Sequence, residues 1–328
     1  MFRMPKGISD VKESGGKMSM KVSIPGDTEG FFGRTCPSCK SFFKLRVDEF
    51  KAAPENELVC AYCGHRATVS DFITVDQRER VLSAAKAYAV AKIQNALGTA
   101  FKPMTSRGGM FSVSIEYKPG IPPRLHSYVE EQVRRTLICD ACSRATAVYG
   151  ATSFCPYCGP RNVRVRVRDE IEAQRRALAL FDHLPDDVRE EARAAGVMDT
   201  AAADALENVV TLFEQFCRET FESIVTQADV ILKKERPNVF QSLDDADRMF
   251  QGHAGKSMRA AVSADTWLRL NTAFAKRHVL THRGGVVDQR FLDRVPASTL
   301  AIGQRLVVNR SEAEITLADL EALLTAAF

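Results

Sequence analysis

The sequence has one tryptophan and six histidines in 328 residues, and no apolar run approaches the roughly 18 residues of a membrane span. The second shortage argues against a spanning helix, and the first makes every imidazole a residue to account for. Charge of either sign is not in excess: 45 Lys and Arg against 41 Asp and Glu leave a formal net charge of +4. So mild a balance permits a polyanionic partner without demanding one. The opening Met1-Phe2-Arg3-Met4-Pro5-Lys6-Gly7 lacks the apolar stretch of a secretory signal, so the chain is expected in the cytoplasm with no membrane contact. With 45% hydrophobic and 26% charged residues, the composition is that of an ordinary globular protein of two or three domains.

Cysteine is what the sequence does have. Eight of its nine cysteines form four Cys-x-x-Cys pairs, Cys36/Cys39 with Cys60/Cys63 and Cys139/Cys142 with Cys155/Cys158. Two intervening residues let a tight turn aim both thiolates at one ion, and two such turns complete a closed tetrahedral site. The expected cofactors are therefore two structural Zn2+ ions, with no catalytic metal, since a closed site stabilises a small fold and leaves no coordination position for chemistry. Twenty residues separate the knuckles of the first set and twelve those of the second, and Gly64 and Gly159 follow the last cysteines, where the chain must turn back. Disulfides would need an oxidising compartment, and a redox centre needs one reactive pair rather than four. His65 is read as a surface histidine more readily than as a spare ligand. Cys217, inside an apolar stripe, is read as a small core residue.

The pattern divides the chain into a flexible leader (1–20), a first zinc ribbon (21–76), a helix and strand connector (77–128), a second ribbon (129–169) and an all-α domain (170–328). The fold class is thus multidomain: two small β-rich zinc ribbons of four cysteines each, with an intervening helix, then an antiparallel helical bundle. In the connector, 76–102 reads as a helix, Lys102-Pro103 and Gly108-Gly109 as a hinge, 110–117 as a strand, and 128–136 as a short helix. Val163, Val165 and Val167 alternate with Arg164, Arg166 and Arg168, which predicts a strand with a cationic stripe along one side. That stripe, enlarged by Arg134, Arg135, Arg144 and Arg161, would either track a phosphate backbone or form a solvated face; stacking aromatics are missing from it. Further on, helices are expected at 171–184, 186–195 and 201–234, the last capped by Asp199 or Thr200. An irregular stretch at 237–256 follows, then a helix capped by Ser263 to about Thr281, a short strand at 306–308 and a helix at 316–327.

The end of the Ser263 helix reads Lys276-Arg277-His278-Val279-Leu280-Thr281-His282-Arg283-Gly284-Gly285. Positions five apart on an ideal helix differ by about 140°, so Arg277 and His282 come together only if the glycine stop bends the last turn. An imidazole at a helix C-terminus is biased toward its protonated form by the carbonyl dipoles. One proton carrier near neutral pH beside one permanent cation is a minimal kit for cleaving RNA: His282 for the proton, Arg277 for the phosphoryl charge. His278, four residues before His282, is a second proton carrier on the same helical face. The two histidines could instead share a metal, which no nearby Glu-x-x-x-His pattern supports.

At these residues the chain resembles the HEPN superfamily, helical domains whose ribonuclease members carry an Arg-x4-6-His motif with a polar residue after the arginine. Here Arg277-His278-Val279-Leu280-Thr281-His282 has that form, and the resemblance covers residues 170–328 but not the cysteine-rich half. It implies metal-independent endoribonuclease activity leaving 2′,3′-cyclic phosphate and 5′-hydroxyl ends, with RNA as substrate. It also implies a homodimer or higher oligomer whose motifs face one cleft, and a role as toxin or anti-phage effector. The ribbons would then recruit or sense a regulatory protein or nucleic-acid trigger. The alternative is a non-catalytic protein in which ribbons and bundle bind nucleic acid or partners and no bond is broken.

Overall fold

The computed structural model describes residues 7–15, 17–52, 55–100, 120, 125–133 and 135–328. The expected hinge, the strand at 110–117 and Arg134 lie outside the described residues. The chain forms two compact units, one of Met1–Tyr149 with Ser153–Pro160, the other of Gly150–Thr152 with Arg161–Phe328.

In the first unit, residues expected to be a flexible leader instead form an antiparallel hairpin of β1 (Ile8–Ser14) and β2 (Lys17–Val22). Gly15, at φ 57°, makes its turn. The hairpin is held because Ile8, Val11, Met20 and Val22 cluster with Ala84 and Tyr88, while Glu13 bonds Lys92 at 2.6 Å. Next come β3 (Phe31–Thr35), β4 (Phe42–Arg46), α1 (Val47–Ala52), β5 (Glu57–Val59), β6 (Arg66–Thr68) and the long α2 (Val75–Ala100). The helix expected near 128–136 is absent. That segment carries no helix or strand through Val133 and is followed by β7 (Arg135–Ile138), because Glu130 is taken up by Gly33 N–H at 2.7 Å and by the Tyr128 hydroxyl. β8 (Ala145–Val148), β9 (Phe154–Cys155) and β10 (Gly159–Pro160) complete the unit.

The two ribbons are not separate modules: they merge in one sheet of order β3-β4-β8-β7. Lys44 pairs with Ala147, each five residues past the second cysteine of its knuckle, and Leu45 pairs with Thr146. The second knuckles bond reciprocally as well. Val59 N–H donates to the Pro156 carbonyl at 2.9 Å and Phe154 N–H to the Ala61 carbonyl at 3.1 Å. Val59 and Phe154 each precede the first cysteine of their knuckle, and Ala61 and Pro156 each follow it. The ribbons are therefore related by a local pseudo-two-fold axis.

Both faces of this sheet are covered. Phe32, Phe43, Leu45 and Val148 pack with Leu58 and Phe72 in one cluster, and Phe31, Ala145 and Ala147 with Val133 in another. All four β8 residues are buried, which removes the usual in-out alternation. Lys44 is fully buried beside Ala147, and its ammonium is met by Asp27, by Glu130 at 3.7 Å and by the Glu131 carbonyl at 2.6 Å. Removing one member of such a buried ionic group costs about 3–5 kcal/mol, because the other charges stay buried.

The second unit is helical: α3 (Val163–Ala179), α4 (Asp186–Ala194), α5 (Val197–Ile224), α6 (Ala228–Leu232), α7 (Leu243–Ala254), α8 (Ala264–Arg283), α9 (Gln289–Arg294) and α10 (Arg310–Ala327). α5 is central and packs on α3, α8 and α10. Its Leu206, Val209, Phe213, Phe216, Cys217 and Phe221 are buried at helical spacing, so Cys217 is a core residue. Phe213 meets Phe274 of α8 edge-on at 5.2 Å, and Phe221 meets Phe250 of α7 at 5.5 Å.

Several expected boundaries move. The helical unit resumes at Arg161 rather than Glu170, and α5 starts at Val197 after a left-handed Gly196. The stretch expected to be irregular contains α7, because the Ser242 hydroxyl caps it and Leu243, Ala246, Met249 and Phe250 bury one side. The strand expected at 306–308 is not formed; a single bridge joins Arg305 to Val286. Among the described residues, no helix is long and apolar enough to cross a membrane.

Candidate functional site

Two kinds of site emerge, one in each unit. In the first, Cys36, Cys39, Cys60 and Cys63 converge, as do Cys139, Cys142, Cys155 and Cys158, with all sulfurs of a set within 4.8 Å of one another. Cys36 and Cys63 are 3.7 Å apart, Cys39 and Cys60 3.6 Å, Cys139 and Cys158 3.5 Å, and Cys142 and Cys155 3.6 Å. A tetrahedron with Zn–S bonds of about 2.3 Å has an edge near 3.8 Å, so the sulfurs fit a single ion. All nine cysteines are unbridged.

The backbone explains how each knuckle closes. Lys40, Gly64, Ser143 and Gly159, each directly after the second cysteine, take φ values of 63°, 72°, 58° and 95°. Gly64 is required for a second reason: a Cβ there would lie 2.6 Å from the Phe154 ring of the opposing knuckle. Burial pushes the Cys60 and Cys155 thiols well up, against the backbone N–H groups that favour their thiolates. For Cys39, burial is outweighed by hydrogen bonds from Ser41 and the neighbouring thiols, which bring it down to about 6. Four sulfurs packed this way release their protons together only against a cation, and a zinc ion supplies that charge. Both clusters could thus hold zinc through four sulfurs, with no position open to a substrate.

In the helical unit, Arg277, His278 and His282 line one groove of about 920 Å³. α8 forms a wall of it, with Ala264, Leu268, Asn271, Ala275, His278 and His282 recurring every three or four residues. Residues on the opposite side of α8, such as Leu270 and Val279, are fully buried in the core. The rings of His278 and His282 are 4.9 Å apart, His282 is exposed and Arg277 half-buried. Arg277 makes no side-chain hydrogen bond or ion pair among the described residues. The glycine stop works otherwise than expected. α8 stays helical through Arg283, and Gly284, at φ 59°, and Gly285 both return their N–H to the Val279 carbonyl. The last turn does not bend His282 toward Arg277. Both reach the groove because His278 fills the space between them, and the glycines reroute the chain so that α9 forms another wall.

Burial, the nearby Arg290 guanidinium, His282 and Arg294 together lower the His278 imidazole below its ordinary value, with Asp288 opposing. His278 is accordingly neutral at pH 7. Five arginines line the groove, against Asp244 as its one acidic lining residue among those described. Arg236, Arg259, Arg290 and Arg294 were not legible as site residues. Arg290 and Arg294 carried a signal in their four-residue spacing after Gly-Gly; Arg259 carried none.

The arginine stripe expected at 164–168 is not formed. Asn162 caps α3 through the Arg164 N–H, so the segment is helical, and alternate residues fall on nearly opposite sides. Arg164 bonds the Phe328 carbonyl at 2.6 Å, Arg166 is engaged by Glu219, and Arg168 lines a small pocket with Ile171 and Phe216. A helix wins because Val167 and Ile171, four apart, are both buried.

Comparison of the chain with protein-family models, with curated proteins and with solved structures yields no match.

Proposed function

We propose that the helical unit is a metal-independent endoribonuclease of the HEPN type. The observation that carries it is the convergence of Arg277, His278 and His282 on one cationic groove. In the proposed reaction, His278, neutral at pH 7, accepts the proton of a ribose 2′-hydroxyl as its oxygen attacks the adjacent phosphorus. The bond to the 5′-oxygen breaks, and His282 returns a proton to that oxygen, leaving a 2′,3′-cyclic phosphate and a 5′-hydroxyl. Arg277 neutralises the charge that builds on the phosphoryl oxygens. Two proton carriers thus come from one chain. The family resemblance adds a homodimer whose grooves face each other, and the zinc-bearing unit would recruit or sense the RNA or its trigger.

The test is incubation of mixed RNA with the protein in magnesium-free buffer that leaves zinc in place. The parent should cleave, and Arg277→Ala and His282→Ala proteins should be slower by about 10²- to 10⁴-fold. RNA shifted but intact in all three samples would instead make this a binding protein, a role that so many unpaired arginines would also serve.

A further inference from the structure

The short α9 places Arg290 and Arg294 four residues apart, and both line the groove that holds Arg277, His278 and His282. The helix is anchored from its other side. Phe291 is buried in the core, Leu292 packs against it, and Asp288 caps the N-terminus through the Phe291 N–H at 2.9 Å. Its remaining charge, Asp293, is turned to Gln289 at 2.8 Å. Like charges at this helical spacing repel. Neither guanidinium forms a side-chain hydrogen bond or ion pair among the described residues, although each is the best donor fork in the protein inventory for phosphate oxygens.

The surroundings add to the misfit. Arg236, across the groove, is held by Asp245 and is close enough to Arg294 to disfavour its charge further, beyond burial and Arg290; Asp288 alone works the other way. Arg259 lines the same space with no side-chain partner among the described residues. A protein that assembles this much uncompensated positive charge on one wall has built an anion site. The volume, about 920 Å³, lies near the top of the roughly 300–1,000 Å³ of ligand pockets, more than a single phosphate fills.

We infer that Arg290 and Arg294 form a second phosphate subsite beside Arg277, so that the groove takes a single strand through at least two backbone phosphates. This rests on the reading of the groove as an RNA site, and it deepens that reading: Arg277 serves the phosphate where bonds change, and α9 grips a neighbouring one. The arginines of α9 are positioning residues and take no part in proton transfer.

The test is equilibrium binding of a 2′-O-methyl uridine hexamer, which lacks the attacking hydroxyl, and of uridine 3′-monophosphate, which has one phosphate. Both are titrated into the full zinc-loaded chain across a salt series. For the R290A/R294A double variant, hexamer affinity should fall about tenfold per arginine. The slope of log K against log salt should flatten by about 1.4, from roughly 0.7 per strand phosphate contact. Monophosphate binding should not change, whereas Arg277→Ala weakens both ligands. An R290K/R294K variant, which keeps the charge, should recover the salt slope, and an unchanged melting temperature excludes misfolding of these exposed positions.

Hexamer binding by the double variant with the parent's affinity and slope would overturn the subsite, as would equal losses for hexamer and monophosphate. A parent that binds the hexamer through Arg290 and Arg294 yet leaves ordinary RNA uncut would uphold the subsite and remove the nuclease. Cleavage by the parent with no dependence of binding on α9 would do the reverse.

Discussion

The two units reach a defined structure by different physics. In the first, pairs of short strands surround eight thiols, and the sheet that joins the ribbons rests on a small core plus the buried Lys44 group. In the second, a 28-residue helix buries a full stripe of Leu, Val and Phe against its neighbours. The contrast teaches that cohesion can come from a few strong, directional bonds at stated positions or from many weak contacts spread over an interface. The first kind is brittle to chemistry and the second to volume.

The largest expected effect tests the metal. A structural zinc contributes about 10–16 kcal/mol of apparent binding energy, comparable to or above the whole stability of a domain. Chelation, or Cys155→Ser at a fully enclosed ligand, should therefore unfold the first unit, seen as loss of its strand signal and release of zinc. The helical unit should keep its circular dichroism and its melting transition. Simultaneous loss of both would break the comparison. Because the ribbons share β4 and β8, losing one metal should unfold both ribbons together, read as two zinc ions released per Cys155→Ser chain rather than one.

A smaller effect is expected from the other side. Phe213→Ala opens a cavity between α5 and α8 and should cost about 3–5 kcal/mol, measured by urea unfolding of the helical unit, with two zinc ions retained. The smallest concerns pH. The folded His278 value lies below its ordinary one, so the unfolded chain binds a proton that the native groove refuses. The stability tied to this group is complete above the unfolded value near 6.5 and is lost as pH falls from there toward the folded value. His278→Asn should flatten the melting temperature between pH 7.5 and 5.5; an unaltered slope would show that the imidazole is not held neutral.

Legibility followed the same divide. The four Cys-x-x-Cys pairs could be assigned to two clusters from spacing because a tight turn and a tetrahedral ion leave few arrangements. What spacing cannot express is that two ribbons pair across a pseudo-two-fold axis through Lys44 and Ala147, a contact between segments about a hundred residues apart. The hairpin of residues 8–22 was hidden for a related reason: it is stabilised by α2, not by its own turn. At 163–168 the alternation of Val and Arg pointed to a strand, yet Val167 and Ile171 needed burial on one side of a helix, and the core decided. Arg277, His278 and His282 were found because glycines after a capped helix are a local signal. Arg259, Arg290 and Arg294 come from other segments and met them only on folding.

The linear order of residues thus determined by itself which sulfurs share a site, which stretches bury an apolar side, and where α8 begins and stops, since turns, caps and periodicity act over a few residues. Tertiary structure alone decided that the ribbons share one sheet, that the valine-arginine segment is helical, and that arginines from four segments line the groove of the two histidines. Those outcomes depend on burial and on charge brought together from distant positions, which no local pattern encodes.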